Sequence, residues 1–233
     1  MKFYICCALH ALILFLNLVT EATAASKSKD GRSIEQNLKE ANVYYGKGDL
    51  DRALQLYMNC LKQDPNQPDC LCNLGSVLLD AGKSDDAKIH YRRALKVTAG
   101  KHAGALYNLA LMLQDGLGAD DLTESRNLYL RLVEIETKNE EAWANLGAVH
   151  HQLGELKLAI KSYMQAIELY AAKNSEGEHN VVMSTLHENV GRVTLRLSER
   201  ITDNKANKDA VEAKGLEFLQ AAVAFSPSNE VPY

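Results

Sequence analysis

From residue 34 onward, apolar residues recur at the spacing of one face of a helix. The clearest run has intervals of 4, 4, 3, 4 and 4 residues, through Val182, Leu186, Val190, Val193, Leu197 and Ile201. A period near 3.6 residues is typical of an amphipathic α-helix, whereas a half-buried strand alternates every second residue. Only 4 prolines interrupt the 233 residues. The pattern therefore predicts an all-α protein.

One short segment occurs four times and shows that the helices come in pairs. Its copies are Asn73-Leu74-Gly75, Asn108-Leu109-Ala110, Asn145-Leu146-Gly147 and Asn189-Val190-Gly191. The first three asparagines are separated by 35 and 37 residues, and a second amphipathic run follows each copy. A single helix pair cannot bury its apolar stripe alone, so neighbouring pairs must stack.

The spacing of small and large residues resembles that of the tetratricopeptide repeat (TPR) family, a helix-turn-helix unit of about 34 residues. In the second copy the small positions are Gly75, Ala87 and Ala94, and Tyr91 is one of the large ones. The resemblance implies a right-handed superhelical solenoid of about five repeats with a concave groove lined by first helices. The repeats are expected at residues 34–67, 68–101, 103–139, 140–174 and 180–227, followed by a tail at 228–233.

Two copies depart from this template. The third has three extra residues in its turn and resembles the Sel1-like variant, with Asp121 and Glu124 placed to form a capping box. In the fifth, an unusually long first helix leads through a polar break, Asp203 to Lys208, into a closing helix near 210–225. The expected turn glycines are Gly48, Gly82 and Gly154, where a positive φ ends the first helix.

The N-terminus is typical of a targeting segment. Phe3 to Val19 is almost unbroken apolar sequence, and Ala22-Thr23-Ala24 has the small-x-small pattern of a signal peptidase site. We expect a signal peptide at 1–24, a flexible lead-in at 25–33, and residence in the endoplasmic reticulum lumen or secretion. An uncleaved signal anchor, and hence a membrane protein, is the alternative.

Three cysteines, Cys60, Cys70 and Cys72, remain after this segment. Cys60 could form a local bridge with Cys70 or with Cys72. Thiols are often simply buried, and the interpretation favoured by the sequence is that all three are small packing residues.

Charge and motifs argue against nucleic-acid binding and catalysis. The net charge is −4, so a large release of phosphate counterions is not expected. No phosphate-binding loop, nucleophile elbow or HExxH motif occurs. His150 and His151 point about 100° apart on a helix and cannot share one metal ion. We expect no enzyme, no cofactor and no metal.

The groove residues are the main functional prediction, and they include a ladder of four asparagine amides. Each amide offers a donor and an acceptor to an extended peptide, although it could instead bond a neighbouring helix. Two arginines favour an acidic partner segment at the C-terminal end. The predicted groove residues are Asn42, Tyr45, Asn73, Tyr107, Asn108, Asn145, His151, Asn189, Arg192 and Arg196.

These features predict a non-catalytic interaction scaffold of the secretory pathway that binds an unidentified peptide or partner helix. Self-association through an uncapped last repeat is a further possibility. The alternative is the substrate-recruiting region of a larger enzyme, such as a glycosyltransferase or luminal oxygenase, or a luminal co-chaperone.

Overall fold

The computed structural model describes residues 31–116, 118–174 and 181–226. Within these ranges the chain forms ten helices and no strand, which confirms the all-α class. The helices are α1 Ile34–Gly46, α2 Leu50–Gln63, α3 Pro68–Asp80, α4 Ser84–Val97, α5 Ala103–Gln114, α6 Ala119–Ile135, α7 Glu140–Gln152, α8 Leu156–Lys173, α9 Val181–Glu199 and α10 Lys205–Ala224.

The chain divides into an N-terminal unit up to Ala105 and a C-terminal unit from Leu106. In the N-terminal unit the helices pack in chain order, α1 against α2, α2 against α3 and α3 against α4. Small residues let the helices of a pair approach, and one tyrosine per pair fills the remaining space. Ala53 and Ala87 are completely buried, as are Tyr57 and Tyr91. The predicted small position Ala87 and large position Tyr91 are thus confirmed as buried.

Tight turns join the helices of a pair. Gly48, Gly82 and Gly154 have φ values of +77°, +76° and +74°, which confirms the predicted left-handed conformation at these positions. Glycine adopts this conformation without the steric penalty that a Cβ would bring.

In the C-terminal unit, α6 to α10 again pack in chain order. The backbones of α9 and α10 approach each other closely through a pair of glycines. A Cβ on Gly191 would lie 2.9 Å from the carbonyl oxygen of Gly215 and 2.8 Å from the side chain of Leu219. The unusually long first helix of the fifth pair is confirmed, since α9 has 19 residues.

Two local predictions are wrong. The helix α6 begins at Ala119 with Gly118 as its N-cap and no side-chain cap, so Asp121 already lies inside the first turn and forms no capping box. The expected polar break at 203–208 is mostly helical, because the side chain of Asn204 accepts a hydrogen bond from the Asn207 backbone and starts α10 at Lys205.

The cysteines also differ from the favoured interpretation. Cys60 and Cys70 form a disulfide, with their Cα atoms 6.4 Å apart, while Cys72 is a buried free thiol. Cys60 lies near the end of α2 and Cys70 near the start of α3, so the short connection between the repeats brings their side chains together. The packing interpretation is correct only for Cys72.

Several predictions lie outside the described residues. These are the signal peptide at 1–24, the lead-in up to residue 30, and the tail at 228–233. In the part of the chain that is described, no helix is both long and apolar enough to cross a bilayer.

Candidate functional site

All ten predicted groove residues lie on the first helix of a pair. They are Asn42 and Tyr45 on α1, Asn73 on α3, Tyr107 and Asn108 on α5, Asn145 and His151 on α7, and Asn189, Arg192 and Arg196 on α9. Asn42, Arg192 and Arg196 are exposed, and the others are half-buried. Most of these residues contribute to three polar clusters, one in the N-terminal unit and two in the C-terminal unit.

The first cluster joins α1 to α3 through amides. Nδ2 of Asn73 donates a hydrogen bond of 2.9 Å to Oδ1 of Asn42. The hydroxyl of Tyr57, a fully buried residue of α2, donates to the same oxygen at 2.5 Å. Burial raises the pKa of Tyr57 to about 12, so the hydroxyl keeps its proton and remains a donor. These bonds fix the Asn42 side chain, whose own Nδ2 has no partner among the described residues.

Tyr45 of the same unit links α1 to the end of α3. Its hydroxyl donates a 2.7 Å hydrogen bond to the carboxylate of Asp80. Burial and the adjacent Asp80 raise the pKa of Tyr45 well above its usual value. The tyrosine therefore positions successive first helices, in addition to lining their surface.

The second cluster joins α5 to α7. The hydroxyl of Tyr107 donates to Glu141 at 2.5 Å and accepts a longer bond of 3.4 Å from Nδ2 of Asn145. Tyr129 packs edge-on against Tyr107, with ring centroids 6.3 Å apart. Burial, followed by the hydrogen bond to Glu141, raises the pKa of Tyr107 to about 12. The Oδ1 acceptor of Asn145 has no partner among the described residues.

The third cluster lies where α9 passes the end of α7. An NH group of Arg196 lies 3.3 Å from Nε2 of His151, and this nitrogen can accept a hydrogen bond from it when the imidazole is neutral. Burial and the charges of Arg196 and Arg192 lower the pKa of His151. Asn189 occupies the preceding turn of α9.

The predicted amide ladder is thus not a uniform row of free amides. Asn73 and Asn145 each donate a hydrogen bond to the preceding first helix, the alternative that the sequence left open. The spare polar groups of Asn42 and Asn145 are fixed in place by these bonds.

Sequence reasoning missed the acidic partners of the two groove tyrosines. Asp80 follows Tyr45 by 35 residues and Glu141 follows Tyr107 by 34, so each pair is one repeat apart. This separation was a usable signal, because residues one repeat apart lie on neighbouring first helices.

A second missed network supports the end of α7. The buried ring of His150 contacts a carboxylate oxygen of Glu155 at 2.5 Å, and Arg126 donates to the other oxygen at 2.7 Å. The hydrogen bond from His150 and the charge of Arg126 oppose the effect of burial, and the pKa of Glu155 is lowered overall. His150 is therefore a buried packing residue that also positions the Glu155 carboxylate, and the sequence did not indicate these partners.

No group of three or more histidine, cysteine or acidic side chains with the proximity of a metal site occurs among the described residues. The polar clusters contain tyrosines, amides and singly placed carboxylates. Their chemistry is hydrogen bonding and charge complementarity.

Comparison with known proteins gives matches to repeat families. A family model described as "TPR repeat" matches residues 41–82, and two described as "Tetratricopeptide repeat" match 72–116 and 140–171. None of these matches specifically indicates the Sel1-like variant.

Relatives and solved structures agree with these matches. The photosystem I assembly protein Ycf3 of a Prochlorococcus marinus strain is 38% identical over 64 residues, 24% of this chain and 37% of that protein. A crystal structure of MamA has a TM-score of 0.63 at 19% identity, covering 86% of this chain and 97% of the other. The structure of YrrB, described as a TPR protein with an unusual peptide-binding site, has a TM-score of 0.64 at 19% identity, covering 83% and 87%. The chain spans about a quarter to two fifths of the length of the first curated relatives that it matches.

Proposed function

The chain belongs to the tetratricopeptide repeat family, and from this premise we propose that it is a non-catalytic interaction scaffold of the secretory pathway. It binds extended peptide segments of partner proteins on the first helices within a unit. MamA and YrrB share the fold, YrrB is described as having a peptide-binding site, and Ycf3 is an assembly protein.

One observation carries the proposal. Hydrogen bonds within the first-helix surface hold Asn42 and Asn145 in place, yet each keeps a polar group without a partner among the described residues. Asn42 retains an N–H donor and Asn145 a carbonyl acceptor. Within its own unit, each of these groups can bond an extended peptide, because the backbone N–H and C=O groups of such a peptide are not bonded to each other. Fixing the side chains beforehand reduces the entropy lost on binding.

A library of random linear peptides displayed on phage tests this function. Peptides selected on the full chain are expected to lose about tenfold in affinity on Asn145→Ala, as removing a hydrogen bond at a partly desolvated site costs about 1–1.5 kcal/mol. The matched control is Asn127→Ala, an exposed asparagine of the second helix α6. Failure to select any peptide, or equal affinity for both variants, would contradict the proposal.

The proposed compartment has separate support. The sequence at 1–24 is typical of a signal peptide, and a disulfide such as Cys60–Cys70 persists mainly in oxidising compartments. Intact mass of the protein from its native source, with and without reduction, tests both features. Cleavage after Ala24 and a bridged pair are expected. Recovery of the full-length mass in membranes would favour the signal anchor, and reduced Cys60 and Cys70 would argue for a cytosolic protein.

A further inference from the structure

Three arginines follow one another at intervals of four residues at the C-terminal end of α9, the first two within the helix and the third in the turn directly after Glu199. Arg192, Arg196 and Arg200 are all exposed, and we call them the arginine stripe. Arg192 contacts Glu188 at 3.4 Å, with both side chains more than half exposed. Ion pairs of this kind contribute little free energy, so a bound carboxylate can replace Glu188 at low cost.

The other two guanidinium groups rest on the end of α7. Arg196 lies against His151 at 3.3 Å, and Arg200 donates to the carbonyl oxygen of Gly154 at 3.1 Å. A guanidinium has five N–H donors, and these contacts use one on each arginine. Glu199, the nearest acidic residue along α9, forms no ion pair with either arginine in the described part of the chain.

The charge of the stripe is therefore largely unneutralised, although the whole chain carries a net charge of −4. The positive charge of the stripe also affects the titration of a residue on α7. The pKa of His151 is lowered by burial and then by Arg196 and Arg192, with no acidic group opposing them. A neutral His151 adds no positive charge, but it keeps the Arg196 guanidinium oriented.

We infer that the arginine stripe binds an acidic peptide in extended conformation, with carboxylates at every second residue. This inference rests on the proposed function and specifies the chemistry of the peptide. Residues four apart on a helix are separated by about 6 Å along its axis. Alternate residues of an extended chain point the same way and are about 6.6 Å apart. Successive carboxylates therefore match Arg192 and Arg196 on α9, and a third carboxylate extends toward Arg200 in the turn that follows.

An extended peptide fits this surface better than an acidic helix. Asn189 lies one turn before Arg192 on α9, and the spare acceptor of Asn145 lies on α7. These groups can bond a peptide backbone, whereas the backbone of a helix is already hydrogen-bonded internally. Arginine is also well suited to carboxylates, because its planar donors bond both oxygens at once.

Three fluorescent peptides with blocked termini test the inference on the intact chain. They have the same length and contain three glutamates at alternate positions, three adjacent glutamates, or three glutamines at alternate positions. Fluorescence anisotropy gives their affinities. The alternating acidic peptide is expected to bind most tightly, and its affinity should fall with added salt.

Charge-removing variants locate the site. Arg196→Gln with Arg200→Gln keeps N–H donors for His151 and Gly154, and is expected to weaken the alternating acidic peptide about tenfold. The matched control is Lys157→Gln with Lys161→Gln, which removes two exposed charges from α8. It should change the affinity less than about twofold.

The outcomes separate this inference from the proposed function. If all three peptides bind with equal affinity and Asn145→Ala weakens all three, the scaffold function is supported and the role of the arginine stripe is overturned. If the two acidic peptides bind equally, or if the arginine and lysine variants weaken binding equally, the affinity comes from unspecific charge attraction. Either result would overturn the inference. If the chain binds phosphatidylserine vesicles but none of the three peptides, the inference about the arginine stripe is also overturned. The scaffold function is then tested by the peptide library alone.

Discussion

Breaking the Cys60–Cys70 disulfide is expected to destabilise the N-terminal unit by an amount that follows from its position. The bridge spans a sequence separation of 10 residues and ties α2 to α3. In the chain-entropy relation, closing a loop of this length removes about 9 cal/mol/K from the unfolded chain. At 25 °C this corresponds to about 2.7 kcal/mol of folding free energy. Both sulfurs belong to completely buried residues, so reduction also leaves two thiols in an apolar setting.

Urea unfolding of the intact chain, followed by circular dichroism, measures this loss. With an m-value of about 1–3 kcal/mol/M, the midpoint should fall by about 0.9–2.7 M when a reductant is added. The variant Cys60→Ala with Cys70→Ala should resemble the reduced protein and no longer respond to reductant. Hydrogen exchange in α2 and α3 should increase in parallel. An unchanged midpoint, or the same reductant response in the double variant, would refute the reasoning.

Three further predictions concern packing and pH. Gly191→Ala should cost about 1–2 kcal/mol in unfolding free energy, because its Cβ would meet the Gly215 carbonyl at 2.9 Å and the clash outweighs the gain in helix propensity. Tyr163→Ala should cost about 3–5 kcal/mol, since Tyr163 is only 3% exposed and its ring would leave a cavity. The pKa of His151 is lowered in the folded chain, so stability should fall as pH decreases below about 6.5, and His151→Gln should reduce this dependence.

A control variant tests each of these three predictions. Gly104→Ala is the control for Gly191→Ala, since its Cβ would meet only ordinary contacts at 3.4 Å or more, and it should not destabilise the chain. Equal effects of the two alanines would contradict the close helix approach. Tyr163→Phe should retain most of the stability lost in the alanine variant. An unchanged pH slope in His151→Gln would show that His151 does not carry this dependence; the remaining slope includes His90, whose pKa is also lowered by burial.

Much of the fold could be predicted because the repeat uses local rules. Small residues such as Ala53 and Ala87, and the turn glycine Gly82, follow from helix spacing and backbone sterics. The start of α10 is hidden from hydrophobic periodicity because its first turn is polar, and the strong N-cap residue Asn204 is the local signal that marks it. A cap is local information and could have been recognised.

The candidate site was less accessible from sequence. The template placed Tyr107 and Asn145 on first helices, but it could not show that they bond each other and Glu141. The disulfide had the same difficulty, since pairing depends on Cα separation and side-chain direction. Such contacts link residues of neighbouring helices whose rotamers are set by packing, which periodicity does not encode.

The buried thiol of Cys72 can report local opening of the N-terminal unit through its rate of alkylation. Its side chain is nearly inaccessible, at 3% exposure, and burial raises its pKa to about 12. At pH 8 only about one thiol in ten thousand is then the reactive thiolate, compared with about a quarter of exposed cysteines. Alkylation must wait for the helices to part, so its rate equals the opening equilibrium multiplied by the rate for an exposed thiol. The fraction of Cys72 that is alkylated over hours therefore measures how often the surrounding helices open.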